Sequence, residues 1–348
     1  MPILHTAAPS RKSRLLGRSG IFLLSLLSTI SVSAKEKPEE KARPLLDAAL
    51  ERSLLRTDSN SPFNLSAKFI VYGLGAKRQD GKYAWSMNSS GDWAKQVSFA
   101  DYSDLQIGRG STVWTKRSVA FQPLQAALVQ NAFRIQQFLA QAGDTVDRYY
   151  TTTEHHVKMR CTDLLHGEKV WKQVRTICVD PQQNLRSIEL GSSKIVYQYL
   201  DYKFVGGKSA PSKIIATRDG TTLLEVEIDR ISVDSEVDSP MPEVPPGAIQ
   251  RIGCIAPTLP ILKRSVPPDY PLDALQLHPK GQVMLYVLIG SDGTVRNAVV
   301  TQTAGEALDS AVLNAVRQRQ YEPAKCGTTP VEFEAEVPAN FRLEIRVE

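Results

Sequence analysis

No stretch of the 348-residue sequence is apolar for long enough to cross a bilayer as a helix. The longest such run, Ile21 to about Val32, has about twelve residues where a span needs ~20, which argues against a polytopic membrane protein. A content of 42% hydrophobic and 23% charged residues argues equally against a disordered chain. Cysteine is scarce, with four residues, none at the C-x2-C spacing of a zinc site and no H-x3-H beside them. Catalytic signatures are missing too: there is no G-x-S-x-G, no H-E-x-x-H and no phosphate-binding glycine loop. His155 and His156 are adjacent, so on a strand they face opposite ways. His166 and His278 fall in predicted turns, Gly108-x-Gly110 reads as a turn, and Asp101 and Asp104 read as loop residues. The expectation is a non-enzymatic protein with no metal and no cofactor.

A surplus of one charge is absent as well, once charges are located. The formal net charge is +5, from 42 basic against 37 acidic residues. Residues 1–34 contain Arg11, Lys12, Arg14 and Arg18 and no acid; without them the count is 38 against 37. A basic nucleic-acid-binding stripe is not expected. The basic cluster, the short apolar run and the small residues Val32-Ser33-Ala34 have the layout of a secretory signal, with cleavage expected after Ala34. An uncleaved membrane anchor is the alternative. The expected location is outside the cytoplasm, in an oxidising space where Cys161, Cys178, Cys254 and Cys326 would pair. Cys161 and Cys178 flank a predicted hairpin turn at His166-Gly167-Glu168, which favours their pairing and leaves Cys254 with Cys326; four buried thiols are the alternative.

Four regions follow: a signal peptide at 1–34, a β-rich domain at 35–236, a Pro-rich linker at 237–261 and a small domain at 262–348. Leu45, Leu46, Ala49 and Leu54 suggest a short helix. Alternation then predicts strands from Leu65 onward, after an Asp80-Gly81 turn at Tyr83–Met87, and at Trp93–Phe99, Thr112–Lys116, His156–Cys161, Val170–Val179, Leu185–Leu190, Lys194–Tyr202, Ser212–Arg218 and Thr222–Val233. One helix, Pro123 to Ala142, interrupts them. A sheet this long should curl over one face as a half-barrel. Six prolines between 240 and 260 read as a stiff linker. Beyond it, Gln282–Ile289 is apolar on both faces and reads as a covered strand; Ser291-Asp292-Gly293 is a turn, Thr294–Thr301 a returning strand, 307–319 an amphipathic helix and Val331–Val337 the last strand. The predicted class is α+β: a curled antiparallel sheet with a helix, then a small strand-strand-helix-strand unit.

The ordered set Tyr270-Pro271, Gly281-Gln282-Val283, Asp292-Gly293-Thr294-Val295, Leu308-Asp309-x-Ala311, Ala315-Val316-Arg317 and Tyr321-Glu322-Pro323-Ala324 resembles the TonB C-terminal domain over about residues 262–348. Two positions depart from the family pattern: Arg319 stands where an aromatic is usual, and Pro338 is expected to shorten the last strand. The resemblance implies that the edge of the last strand takes a short extended peptide of a periplasmic or outer-membrane protein as an added strand, in connection with TonB-dependent outer-membrane transport. That edge is Val331, Glu332, Phe333, Glu334, Ala335, Glu336 and Val337, its three glutamates reading as a solvated face that blunts the edge. Energy-transducing members also carry an uncleaved transmembrane helix and a long Pro-rich spacer, so this chain is more similar to members that attach the domain to another periplasmic module. The β-rich region is similar in architecture to periplasmic lipoprotein carriers of the LolA type. That similarity implies an acyl chain on the concave face, with Trp85, Trp93, Trp114 and Trp171 either lining it or serving as ordinary core, and with the C-terminal domain as a docking module.

Overall fold

The computed structural model describes residues 37–56, 62–73, 77–139, 143–154, 156–166, 173–233, 241–254, 257–269 and 282–340. The signal segment 1–34, His155, Trp171, Tyr270, Pro271, His278 and Gly281 lie outside the described residues. Lys37–Glu348 forms one compact unit.

Helix α1 (Pro38–Arg52) buries Ala42, Leu45, Leu46 and Ala49, a stripe at helical spacing, against the inside of the sheet. Strands β1 (Phe63–Tyr72), β2 (Arg78–Met87), β3 (Trp93–Phe99), β4 (Tyr102–Arg109) and β5 (Thr112–Arg117) form an antiparallel meander. After α2 (Leu124–Phe133) and α3 (Gln136–Leu139) a second meander follows: β6 (Thr145–Glu154), β7 (Val157–His166), β8 (Gln173–Val179), β9 (Leu185–Leu190), β10 (Ile195–Val205), β11 (Lys208–Arg218) and β12 (Thr221–Ser232). Antiparallel pairing of β1 with β12 joins the two into one sheet, in register at Phe69↔Val226. The sheet does not close: β6 is one edge and β13 (Ile249–Ile252), paired with β5, is the other. Alternation sets the inner face. Phe63, Leu65, Ala67, Phe69 and Val71 of β1 are buried beside Trp85 and Tyr83 of β2. Helix α2 fills the concavity; its Phe133 ring stacks on Tyr83 at 4.1 Å.

Several expectations change. The long helix breaks at Arg134, whose φ of −98° and ψ of 49° end α2, and Pro123 is its N-cap. Asp80-Gly81 is not a turn; both residues lie inside β2. A Cβ on Gly81 would sit 2.2 Å from the Phe69 ring, so the glycine is there to let that ring cross the strand. Gly108 likewise lies within β4 under the Trp93 indole. Strands β4 and β6 carry no clean alternation of apolar residues and were not expected. Part of the segment read as linker, Ile249–Ile252, is a strand of the large sheet.

The C-terminal part contains β14 (Ile261–Arg264), β15 (Gln282–Ile289), β16 (Val295–Gln302), α4 (Glu306–Arg317), β17 (Gln320–Glu322), β18 (Lys325–Cys326), β19 (Thr329–Pro330) and β20 (Phe333–Asn340). Its sheet runs β16-β15-β20, with β14 and β17 paired beside it. Leu308, Val312 and Val316 of α4 pack on Val283, Leu285, Val287 and Ile289, one face of β15. The other face is buried too, with Met284 0% and Tyr286 3% exposed. Disulfides join Cys161 to Cys178, directly opposite each other in β7 and β8, and Cys254 to Cys326. The second bridge ties the segment after β13 to β18.

Candidate functional site

The last strand is Phe333–Asn340, not Val331–Val337: it begins two residues later and continues through Pro338, which stands opposite Met284 of β15. Pro338 does not shorten the strand because β20 is an edge. A proline costs no ladder bond where its nitrogen faces away from the neighbour. Arg319 confirms the direction, its guanidinium donating to the Pro338 carbonyl at 3.5 Å. In antiparallel pairing, alternate residues turn their N–H and C=O to opposite sides. Glu334, Glu336 and Pro338 therefore direct their backbone outward, and Phe333, Ala335 and Val337 direct theirs to β15. The two departures from the family pattern, Arg319 and Pro338, thus meet at one end of this edge.

Glu334 and Glu336 do not form a solvated face; Glu332 alone is exposed. Glu336 is 6% exposed in its side chain and pairs with Arg218 of β11, which is 8% exposed. Thr301 donates its hydroxyl to the same carboxylate at 2.7 Å. Burial pushes the Glu336 pKa up, with Arg218 opposing the shift. Glu334 pairs with Arg117 of β5 at 3.0 Å and accepts the Tyr286 hydroxyl at 3.2 Å. Burial works against the charge of Arg117, yet Glu334 and Asp104 together raise its pKa. Glu332, half exposed, lies 3.1 Å from Arg251 of β13. Each acid of the last strand or its approach is met by an arginine of the large sheet. Tyr286 completes the junction: its ring lies 5.4 Å from Phe121, and its hydroxyl accepts from Gln122 at 2.8 Å.

Asp104, expected in a loop, lies inside β4 and is 1% exposed. It accepts from Gln106 at 2.8 Å and from Gln130 of α2 at 2.7 Å, and meets Arg117 at 3.4 Å. His166, expected in a turn, ends β7 and is buried against Asp144 at 3.0 Å, which Arg175 also contacts. Neither group could be found from sequence, because each carboxylate meets partners from strands or helices distant along the chain. Of the family-motif residues, Asp292 holds the β15–β16 turn by accepting from the Thr294 N–H and hydroxyl. Gly293, at φ +80°, lies against the Tyr321 carbonyl, and Glu322 is bridged to Lys263 and Lys325. Pro323 follows β17 where the chain turns into β18. These residues shape the small unit, and Tyr321, 6% exposed, also lines the cavity beside residues 331–338.

A cavity of about 620 Å³ lies between β20 on one side and the large sheet with α2 and α3 on the other. Residues 331–338 line it without a break. Strand β20 is the edge of its three-stranded sheet, paired on one side only with β15. The opposite wall includes Trp93, Lys95, Leu128, Arg134, Phe138 and Arg175. Trp85, by contrast, is core, 1% exposed and packed edge-on against Phe63.

Residues 266–343 match the family model described as the Gram-negative bacterial TonB protein C-terminal. Among curated proteins none matches the chain. Among solved structures, a LolA superfamily protein from Nitrosomonas europaea is similar at 11% identity and a TM-score of 0.38, over 56% of this chain and 94% of that one. MucB in the Pseudomonas aeruginosa MucA/MucB complex is similar at 11% identity and a TM-score of 0.26, over 82% and 95%. Residues 266–343, the last quarter of the chain, are therefore similar to the C-terminal part of TonB proteins.

Proposed function

We propose that this chain is a periplasmic, non-enzymatic binding protein that takes an extended peptide of an envelope protein as a strand added to the outer edge of β20. The observation that carries this reading is that residues 331–338 line a cavity along a strand paired on one side only. Outward backbone groups at Glu334 and Glu336 supply the hydrogen bonds of strand addition, and the cavity walls select alternate side chains. The TonB-like segment supports the same reading, and the process we propose for it is TonB-dependent outer-membrane transport. The ion pairs to Arg117 and Arg218 hold the small unit so that its edge faces the concave wall.

Fluorescence anisotropy with labelled extended heptapeptides and the full chain tests this. Binding that is lost when alternate backbone nitrogens of the peptide are methylated supports strand addition. Equal binding of the methylated peptide rejects it. A second reading, a carrier for an acyl chain, is favoured by the apolar part of the same wall, Trp93, Leu124, Leu128, Phe138, Leu190 and Ile195. Native mass spectrometry of the purified protein decides it: co-purified lipid supports it, and a clean apo mass rejects it.

A further inference from the structure

The chemistry of the cavity wall narrows the kind of peptide. A strand laid along the outer edge of β20 projects every second side chain to the side on which Glu334 and Glu336 lie. On that side the large sheet answers the acids of this segment with Arg251, Arg117 and Arg218. Two more cations, Lys95 of β3 and Arg134 at the end of α2, line the cavity and meet no carboxylate among the described residues. The Lys95 ammonium lies over the rings of Trp85 and Trp93, 4.2 and 4.9 Å from their centroids. The Arg134 guanidinium donates to Gln106 at 3.2 Å. Gln106 stands opposite Lys95 in the β3–β4 register, so the two cations are neighbours. Burial first, and the charge of Arg134 second, push the Lys95 pKa well down. A carboxylate brought alongside would oppose that shift and favour the ammonium. A third cation, Arg175, is 2% exposed; it contacts Asp144, while its Nε and one Nη have no hydrogen-bond partner.

A polar path connects these groups to the edge. Glu334 pairs with Arg117, Arg117 with Asp104, Asp104 with Gln106, and Gln106 with Arg134. The segment 332–336 is itself acidic at every second residue, and that pattern is already matched by arginines of the wall. A second strand with the same pattern beside it would meet Lys95 and Arg134.

We propose that the partner is an extended acidic peptide with Asp or Glu at alternate positions, its carboxylates received by Lys95 and Arg134. The proposal rests on the strand-addition reading. It commits to a peptide over an acyl chain because the cations stand across from a strand edge that offers backbone hydrogen bonds, which an acyl chain cannot use.

The test compares labelled heptapeptides on the full chain: one with Glu at alternate positions, one with Gln in their place, and the Glu peptide methylated on its backbone nitrogens. The Glu peptide should bind about tenfold more tightly than the Gln peptide, the usual scale for hydrogen bonds to a charged group. Lys95→Gln with Arg134→Gln should remove that preference, so that the Glu and Gln peptides bind equally; a thermal melt shows whether the variant is folded. Lys95→Arg should keep the preference. Equal binding of Glu and Gln peptides overturns the proposal, and loss on methylation then leaves strand addition standing. A Glu preference that survives methylation overturns strand addition and keeps the carboxylate site. Binding of dodecanoate with no binding of any peptide overturns both and assigns the cavity to an acyl chain.

Discussion

Replacing Arg218 by methionine isolates the strongest link between the large sheet and the last strand. The Arg218 and Glu336 side chains are 8% and 6% exposed, so neither is rehydrated when the other is removed. In Arg218→Met the Glu336 carboxylate keeps only the Thr301 hydroxyl, and Ser193 loses the donor to its carbonyl. Removing one partner of a buried pair costs about 3–5 kcal/mol. The retained hydroxyl bond and the ease of protonating Glu336 put this case near the lower end, about 3 kcal/mol at pH 7. In Arg218→Met/Glu336→Leu no charge is left buried, and the loss should shrink to about 1 kcal/mol or less. The pH dependence has a definite sign. The folded pKa of Glu336 lies above the unfolded value of 4.5, so the folded protein takes up the proton first. The single variant should therefore regain stability as pH falls through the folded pKa toward 4.5, and lose it as pH rises. Urea unfolding of the full chain, followed by near-UV circular dichroism across pH, measures all of this. A single-variant loss under about 1 kcal/mol, or a double variant as unstable as the single one, would refute the buried-pair argument.

Other outcomes follow from the same junction. Tyr286→Phe should cost about 1–2 kcal/mol in urea unfolding, because Gln122 and Glu334 lose a shared hydroxyl in a buried site. Removing the Cys254–Cys326 bridge should cost about 4 kcal/mol and removing Cys161–Cys178 about 3, because they span 72 and 17 residues; paired serine variants compared in urea check the order. Gly293→Ala should cost more than about 2 kcal/mol, since φ is +80° and the new Cβ would fall 1.9 Å from the Tyr321 carbonyl oxygen. Hydrogen bonds from the Thr294 N–H and hydroxyl, helped by Arg296, lower the Asp292 pKa below 3.8. The turn's contribution is therefore full above 3.8 and fades as pH falls through the lower folded value, which carboxylate NMR titration reads directly.

The parts visible in the sequence are those in which one strand or helix settles its own burial. Alternation marked β1 and β3, helical spacing marked α4, and β15 showed itself as doubly covered because both of its faces are apolar. Positions settled by distant partners were not visible. Gly81 looks like a turn residue until the Phe69 ring lies over it. Asp104 looks like a loop carboxylate until Gln130 and Arg117 close around it. Glu334 and Glu336 alternate with apolar residues as a solvent face does, and only the arrival of Arg117 and Arg218 turns that face inward. Lys95 and Arg134 carry no local pattern at all; folding alone brings them to the cavity opposite β20.

The central claim is that the outer edge of β20 pairs with an added strand. Residue-resolved amide hydrogen exchange tests it most directly. On addition of the alternating Glu heptapeptide, the N–H groups of Glu334 and Glu336, which face outward, should become strongly protected. Those of Ala335 and Val337, already bonded to β15, should change little. Unchanged exchange at Glu334 and Glu336 with the peptide bound would contradict the account.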